Sequence, residues 1–184
     1  MPFLQQKGNF RNLIAYQKAE CIYDITFYFA NKFLGKGDRT VDQMIQAARS
    51  GKQNIAEGAA AATASAEIEI KLMNVARASL QELLIDYEDY LRVRDLCKWD
   101  INDKRSKQTR LVCSKHNDTA FYTEAIKTRS DETIANITIT LIHQTDVFLR
   151  KLIERLQDDF LQNGGIREQM TRARLDYRKN KNSN

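Results

Sequence analysis

The residues best suited to metal chemistry are Cys97, Cys113 and His116. Cys113 and His116 have the Cys-x-x-His spacing of a ligand pair, and Cys97 lies upstream. A structural zinc site needs four ligands. No fourth Cys or His is nearby, because His143 falls in a separate helical stretch, so no metal or cofactor is expected. Acid pairs such as Asp158 with Asp159, or Asp86 near Glu88 and Asp89, suggest hydrolytic or di-metal chemistry only if a histidine accompanies them. Di-metal helical bundles use Glu-x-x-His. The positions three before the two histidines are Cys113 and Thr140. The acids therefore read as exposed faces, and no catalytic constellation is expected.

Positive charge is the stronger chemical signal. The formal net charge is +5, and it is unevenly placed. Residues 98–115 carry Lys98, Lys104, Arg105, Lys107, Arg110 and Lys115 against Asp100 and Asp103, a local net of +4. Residues 165–184 carry Arg167, Arg172, Arg174, Arg178, Lys179 and Lys181 against Glu168 and Asp176, again +4. The rest of the chain is therefore acidic. Phosphate recognition requires only reachable Lys or Arg and is insensitive to sequence. The nucleic-acid candidates are thus Lys104, Arg105, Lys107 and Arg110 in the connection, and Arg167, Arg172, Arg174 and Arg178 in the tail. The competing reading is a solvated surface whose arginines pair with acids.

The elements that position these residues are helical. One Pro and seven Gly in 184 residues leave few breaks, and both residues disfavour helix interiors. A first helix is expected over about 12–34, capped by Asn12 and closed by Gly35 in the left-handed conformation. A second over 39–62 begins at Asp38 or Thr40. A third over 65–97 begins at Ser65, and its wide apolar face calls for cover on more than one side. A fourth over 131–162 begins after Ser130. Its Ile137–Leu141 alternation imitates a strand, but spacing of three and four continues for more than twenty residues. The basic connection 98–130 is longer than an ordinary bundle loop; Ala120, Phe121, Tyr122 and Ile126 within it suit a short helix. Residues 1–11 should be frayed. A helix from Ile166 to about Lys179 carries Ile166, Met170, Ala173 and Tyr177 on one face, and 180–184 should be disordered. The architecture is then an all-α antiparallel up-down-up-down four-helix bundle over 1–163 with a short basic helical suffix, 164–184.

The centre of the chain is Ser50-Gly51-Lys52-Gln53-Asn54-Ile55-Ala56-Glu57-Gly58. Gly51 and Gly58 lie seven apart on the buried face of the second helix. Each costs about 1 kcal/mol against Ala, so a neighbouring backbone must pass close by. Lys52 beside Gly51 has no strand-loop-helix context for a phosphate loop. Ser50, Gly51, Asn54, Glu57 and Gly58, with Ser79 and Glu82 opposite, are expected at the crossing of the second and third helices. Asn54 is expected to bond backbone, and Glu57 to pair with Lys52, Lys71 or Arg77.

Gln43-Met44-Ile45-Gln46-Ala47-Ala48-Arg49-Ser50 with Asn54-Ile55-Ala56-Glu57-Gly58 resembles the second-helix signature of the bacterial four helix bundle protein family. That family includes ribosomal RNA intervening-sequence proteins and the accessory variability determinant of diversity-generating retroelements. Ala76-Arg77-Ala78-Ser79-Leu80-Gln81-Glu82-Leu83 resembles its third-helix signature. Leu13, Tyr16, Gln17, Lys18 and Ala19 resemble its first helix, and 164–178 its suffix domain. The chain differs in having Gly51-Lys52 where the family often has Ile-Pro, Gln46 and Ala78 at usually basic and glycine positions, and a longer connection. The resemblance implies a non-enzymatic homopentamer. Through the family's retroelement branch it also implies DNA or RNA binding and a protein partner such as a reverse transcriptase. The start lacks a secretory signal and no apolar run reaches a membrane span, so a cytoplasmic location and no membrane contact are expected.

Overall fold

The computed structural model describes residues 9–182. The described residues are all-helical: a 3-10 turn, Phe10–Asn12, then α1 (Ile14–Phe33), α2 (Arg39–Ala61), α3 (Ala66–Val93), α4 (Lys104–Lys115), α5 (Thr119–Ala125), α6 (Asp131–Asn163) and α7 (Ile166–Asn182). None of these helices is long and apolar enough to cross a membrane. The expected fraying over 1–11 concerns mostly residues outside the described set, as does the expected disorder at 183–184. Within the set, 10–12 form a turn and α7 continues to Asn182.

Caps explain most of the boundaries. The carboxylate of Asp38 accepts the Thr40 amide proton at 2.9 Å, and the Ser65 hydroxyl accepts that of Ile68 at 3.2 Å. Ser130 accepts the Thr133 amide proton at 3.3 Å, with Asp131 and Glu132 in the first turn. Each satisfies an orphan donor at a helix start. Four expectations need correction. First, α1 begins at Ile14 rather than near Asn12, because 10–12 tighten into a 3-10 turn capped by Asn9. Second, Gly35 is not left-handed; Leu34 is extended at the helix end and Gly37 takes φ of 84°. Third, α3 stops at Val93, not near 97. Asp95 adopts φ of 55° and the Leu96 amide bonds back to Leu91, which turns the chain out of the helix. Fourth, the 98–130 connection is mostly ordered helix, α4 and α5.

α1 packs on α2 and α6, and α3 packs on α2 and α6. Paired residues give the directions. Gly51 lies against Leu80 and Gly58 against Met73, so α2 and α3 run in opposite senses. Thr26 meets Tyr87 and Phe29 meets Tyr90, so α1 and α3 run the same way. Arg77 reaches Asp146 and Tyr90 reaches Asp131, so α3 and α6 are opposed. Between them lies an apolar core in which Ile22, Phe29, Met44, Leu80, Tyr87 and Leu141 are fully buried. α6 is helical through the strand-like alternation, and within it the Thr138, Thr140 and Thr145 hydroxyls donate to carbonyls one turn back, at 2.8, 2.9 and 2.7 Å. These buried polar groups are thus satisfied locally.

The α2–α3 crossing is as close as its glycines require. A Cβ on Gly51 would lie 2.8 Å from the Leu80 side chain; on Gly58 it would lie 3.1 Å from Met73 and 3.3 Å from the Glu69 carbonyl. The Ser50 and Ser79 hydroxyls meet at 2.9 Å, and Asn54 donates to the Ser50 carbonyl at 2.8 Å. Glu57 and Glu82 do not belong to this crossing: both are exposed, and Arg77, a proposed partner of Glu57, pairs with Asp146 instead.

Gly51→Val should therefore destabilise the chain by about 2–3 kcal/mol, the cost of overpacking a filled core, measurable as a lower urea midpoint. A second expectation concerns alkaline pH. Burial pushes the Cys21 thiol up to about 12 from 9.0. The folded state thus keeps a proton that the unfolded state releases. This contribution is complete below pH 9.0 and is lost as pH rises toward about 12. Cys21→Ala should flatten the decline in stability above pH 9.0 in denaturant titrations at successive pH values.

Candidate nucleic-acid interface

The two basic segments have different fates. In the connection, α6 takes hold of the chain as it leaves α3. Asn136 accepts the Trp99 amide proton at 2.9 Å and donates to the Cys97 carbonyl at 2.8 Å. One turn earlier, Glu132 accepts from the Cys97 amide at 3.1 Å and from the Trp99 indole at 3.3 Å. Arg105 lies over the Trp99 ring, 4.9 Å from its centroid, and pairs with Asp103 at 2.8 Å and Glu132 at 3.6 Å. Arg110 donates to the Ser106 hydroxyl at 2.9 Å and the Ile101 carbonyl at 2.8 Å. These two arginines brace the connection. Lys98 is paired with Glu88. Lys104 and Lys107 are exposed on α4.

α4 is fastened by a buried lysine. Lys18 on α1 is 1% exposed. Its ammonium donates to the Cys113 carbonyl at 2.6 Å and to Gln144 on α6 at 3.0 Å. Gln144 in turn donates to the Arg110 carbonyl at 3.0 Å. Cys113 lies in the last turn of α4, where carbonyls lack intrahelical partners and the helix dipole favours a cation. Lys18 is thus a C-terminal cap supplied by another helix. Desolvation holds its pKa below 10.5, and among the described residues it has no carboxylate partner. Below it, α5 packs on α1 and buries Tyr122 and Ile126.

Cys97, Cys113 and His116 are not assembled into a ligand set. Cys97 is exposed and Cys113 buried, while the His116 ring stacks on Phe121 at 3.8 Å. Among the described residues no group of His, Cys, Asp or Glu is arranged to hold a metal ion.

The tail differs from the connection. Among the described residues α7 makes no extensive contact with another helix, and 166–181 are exposed apart from Ile166, Gln169 and Ala173, which are half-buried. Its joint with α6 is built, however. Gly164 takes φ of 71°, which favours glycine. Arg172 donates to the Asn163 carbonyl, Gln169 to the Gly164 carbonyl at 3.0 Å, and Glu168 accepts the Gly165 amide proton at 2.9 Å. Arg172 therefore caps α6. Four of the other cations share a face. Arg167, Arg174, Arg178 and Lys181 follow one another by seven, four and three residues, within about 60° of arc at 100° per residue, while Lys179 lies off it. Glu168 and Asp176 fall outside that arc. The stripe is about 21 Å long. The apolar face Ile166, Met170, Ala173 and Tyr177 adjoins it. Met170 is 48% and Tyr177 69% exposed, so this part of the face is left open by the described residues.

The two segments are also far apart. Glu132, which holds Arg105, and Asn163 lie on one helix, separated by about 46 Å of rise. No family model, curated protein or solved structure matches the chain.

Replacing the capping ammonium tests its role. Lys18→Met should leave the Cys113 carbonyl and Gln144 unsatisfied, at a cost of about 1–3 kcal/mol. Amide exchange in α4 should accelerate about tenfold or more relative to α3.

Proposed function

We propose that this chain is a non-catalytic, self-associating, up-down-up-down four-helix bundle that binds nucleic acid through α7, with Arg167, Arg174, Arg178 and Lys181 on the phosphates. The observation that carries this reading is the acid-free basic stripe on a helix that, among the described residues, meets the rest of the chain only near its joint with α6. An isolated helix of this length is marginal in water, so a partner that covers the stripe would also stabilise the helix. Backbone phosphates suit it because they need cations at a roughly regular spacing and no base readout. The helix directions and the Ser50–Ser79 crossing support membership of the bacterial family that the motifs resemble. On that reading the chain assembles as a homopentamer, which repeats the stripe five times. Its protein partner would be a nucleic-acid enzyme such as a reverse transcriptase, in the cytoplasm. Ile68 and Val75, seven residues apart on α3, are 49% and 38% exposed and supply apolar surface for subunit contact.

The second reading is a structural or protein-interaction scaffold with no nucleic-acid role. The undocked Met170/Tyr177 face of α7 favours it, since such a face suits a protein groove.

Binding of a labelled single-stranded oligonucleotide, followed by anisotropy against salt, separates the two. The variant Arg167→Glu/Arg174→Glu/Arg178→Glu should lower the slope of log affinity against log salt by about 2. Lys104→Glu/Lys107→Glu should change it far less. Equal losses in both variants would move the interface to the connection. No binding by the unmodified chain at low salt would leave the scaffold reading.

A further inference from the structure

A cavity of about 690 Å³ lies between the 98–101 segment, α4 and the first half of α6. Its size falls within the ~300–1,000 Å³ of small-molecule sites. Trp99, Ile101, Ile139 and Val147 supply apolar walls, and Arg110 and His143 reach its edge. Trp99 also borders a smaller recess of about 320 Å³, and Arg105 lines that recess rather than the larger cavity. The indole therefore stands between the two, with its guanidinium partner on the smaller side.

The lining carries Lys98 and Arg110 against Asp100, a formal net of +1, and Lys98 is paired with Glu88. Arg110 is half-buried, and its guanidinium is held by the Ser106 hydroxyl and the Ile101 carbonyl, both neutral. Among the described residues no carboxylate pairs with it. Asp100, on the same lining, accepts the Asn102 amide proton at 2.8 Å. Behind the wall, Gln144 links Arg110's carbonyl to the buried ammonium of Lys18, which also has no carboxylate partner. A partly desolvated cation with neutral partners favours an incoming anion more strongly than a solvated one does. Ile101 and Val147, 67% and 39% exposed, leave apolar surface at the mouth for the body of such a ligand.

We propose that this cavity binds a small amphipathic anion. An apolar or aromatic body lies against Trp99, Ile139 and Val147, and a single carboxylate or sulfonate meets the guanidinium of Arg110. The site is distinct from the α7 stripe and does not depend on it. Its ligand class follows from the mixture of walls: extended apolar surface, one aromatic plane and one guanidinium with no carboxylate partner.

Trp99 is the only tryptophan in the chain, so its emission reports the surroundings of the indole, and Ile101 and Val147, which line the larger cavity and not the smaller recess, separate the two. The full-length protein is titrated with anilinonaphthalene sulfonate while energy transfer from Trp99 is followed. Octanoate and octanol are then added as competitors. Saturable one-to-one transfer is expected, with octanoate displacing the probe at a concentration about tenfold or more below that of octanol, because only the carboxylate engages Arg110. Val147→Glu and, separately, Ile101→Asp place an acid on the apolar wall at exposed positions. Each should weaken the probe about tenfold or more. Lys107→Glu makes a larger charge change away from the lining and should leave affinity within about twofold. Circular dichroism of each variant checks folding, and the two wall variants keep the test informative if one fails to fold. The proposal is overturned by non-saturable transfer, by octanol competing as well as octanoate, or by Lys107→Glu weakening the probe as much as the wall variants do.

Discussion

The ammonium of Lys18 holds in place α4, a helix with little apolar surface of its own. α4 buries only Ser106 and Cys113, too little apolar surface to dock a twelve-residue helix by the hydrophobic effect alone. What fixes it is a charge-assisted hydrogen bond from α1 to the open end of its backbone, and a glutamine of α6 that binds both the lysine and the helix. Burying a lysine is costly and lowers its pKa. That cost persists because three elements converge on the same few atoms. With α4 anchored at its end, Glu132 and Asn136 fix its approach, and the excursion after α3 becomes a layer on the body.

This anchoring redistributes charge that looks equal in the sequence. Arg105 is neutralised by Asp103 and Glu132, Lys98 by Glu88, and Arg110 is turned inward. The connection's formal +4 is thereby reduced to the field of a few surface lysines. The tail also carries +4 but gives up only Arg172 to the α6 joint. Arg167, Arg174, Arg178 and Lys181 lie on one face with the acids turned away, so their potentials add. α6 acts as the strut that separates the two regions by most of its length.

Much of the architecture was legible before the structure. Asp38, Ser65 and Ser130 mark helix starts by chemistry that acts over three residues, and the spacing in α2, α3 and α6 marks their faces. Gly51, Gly58, Ser50, Asn54 and Ser79 announced a close crossing, and they form it. What was not legible depends on contacts far apart in sequence. α4 lacks an apolar stripe, so its helicity shows no clear period, and its anchor is 95 residues away. The end of α3 turns on a left-handed Asp95, a residue type that tolerates that conformation without advertising it. The roles of Arg105 and Arg110 are set by Glu132 and the Ile101 carbonyl, which no local pattern reveals. Glu57 and Glu82 share motifs with the crossing residues yet face outward.

The central claim is that charge in the connection is structural and that the Arg167, Arg174, Arg178 and Lys181 stripe of α7 binds nucleic acid. Hydrogen–deuterium exchange of the full-length chain, with and without a single-stranded oligonucleotide at low salt, addresses both halves in one measurement. The account predicts new protection across 166–182, where an isolated helix gains a partner, and unchanged exchange across 104–125. Protection confined to 104–115, with the tail unaffected, would contradict it.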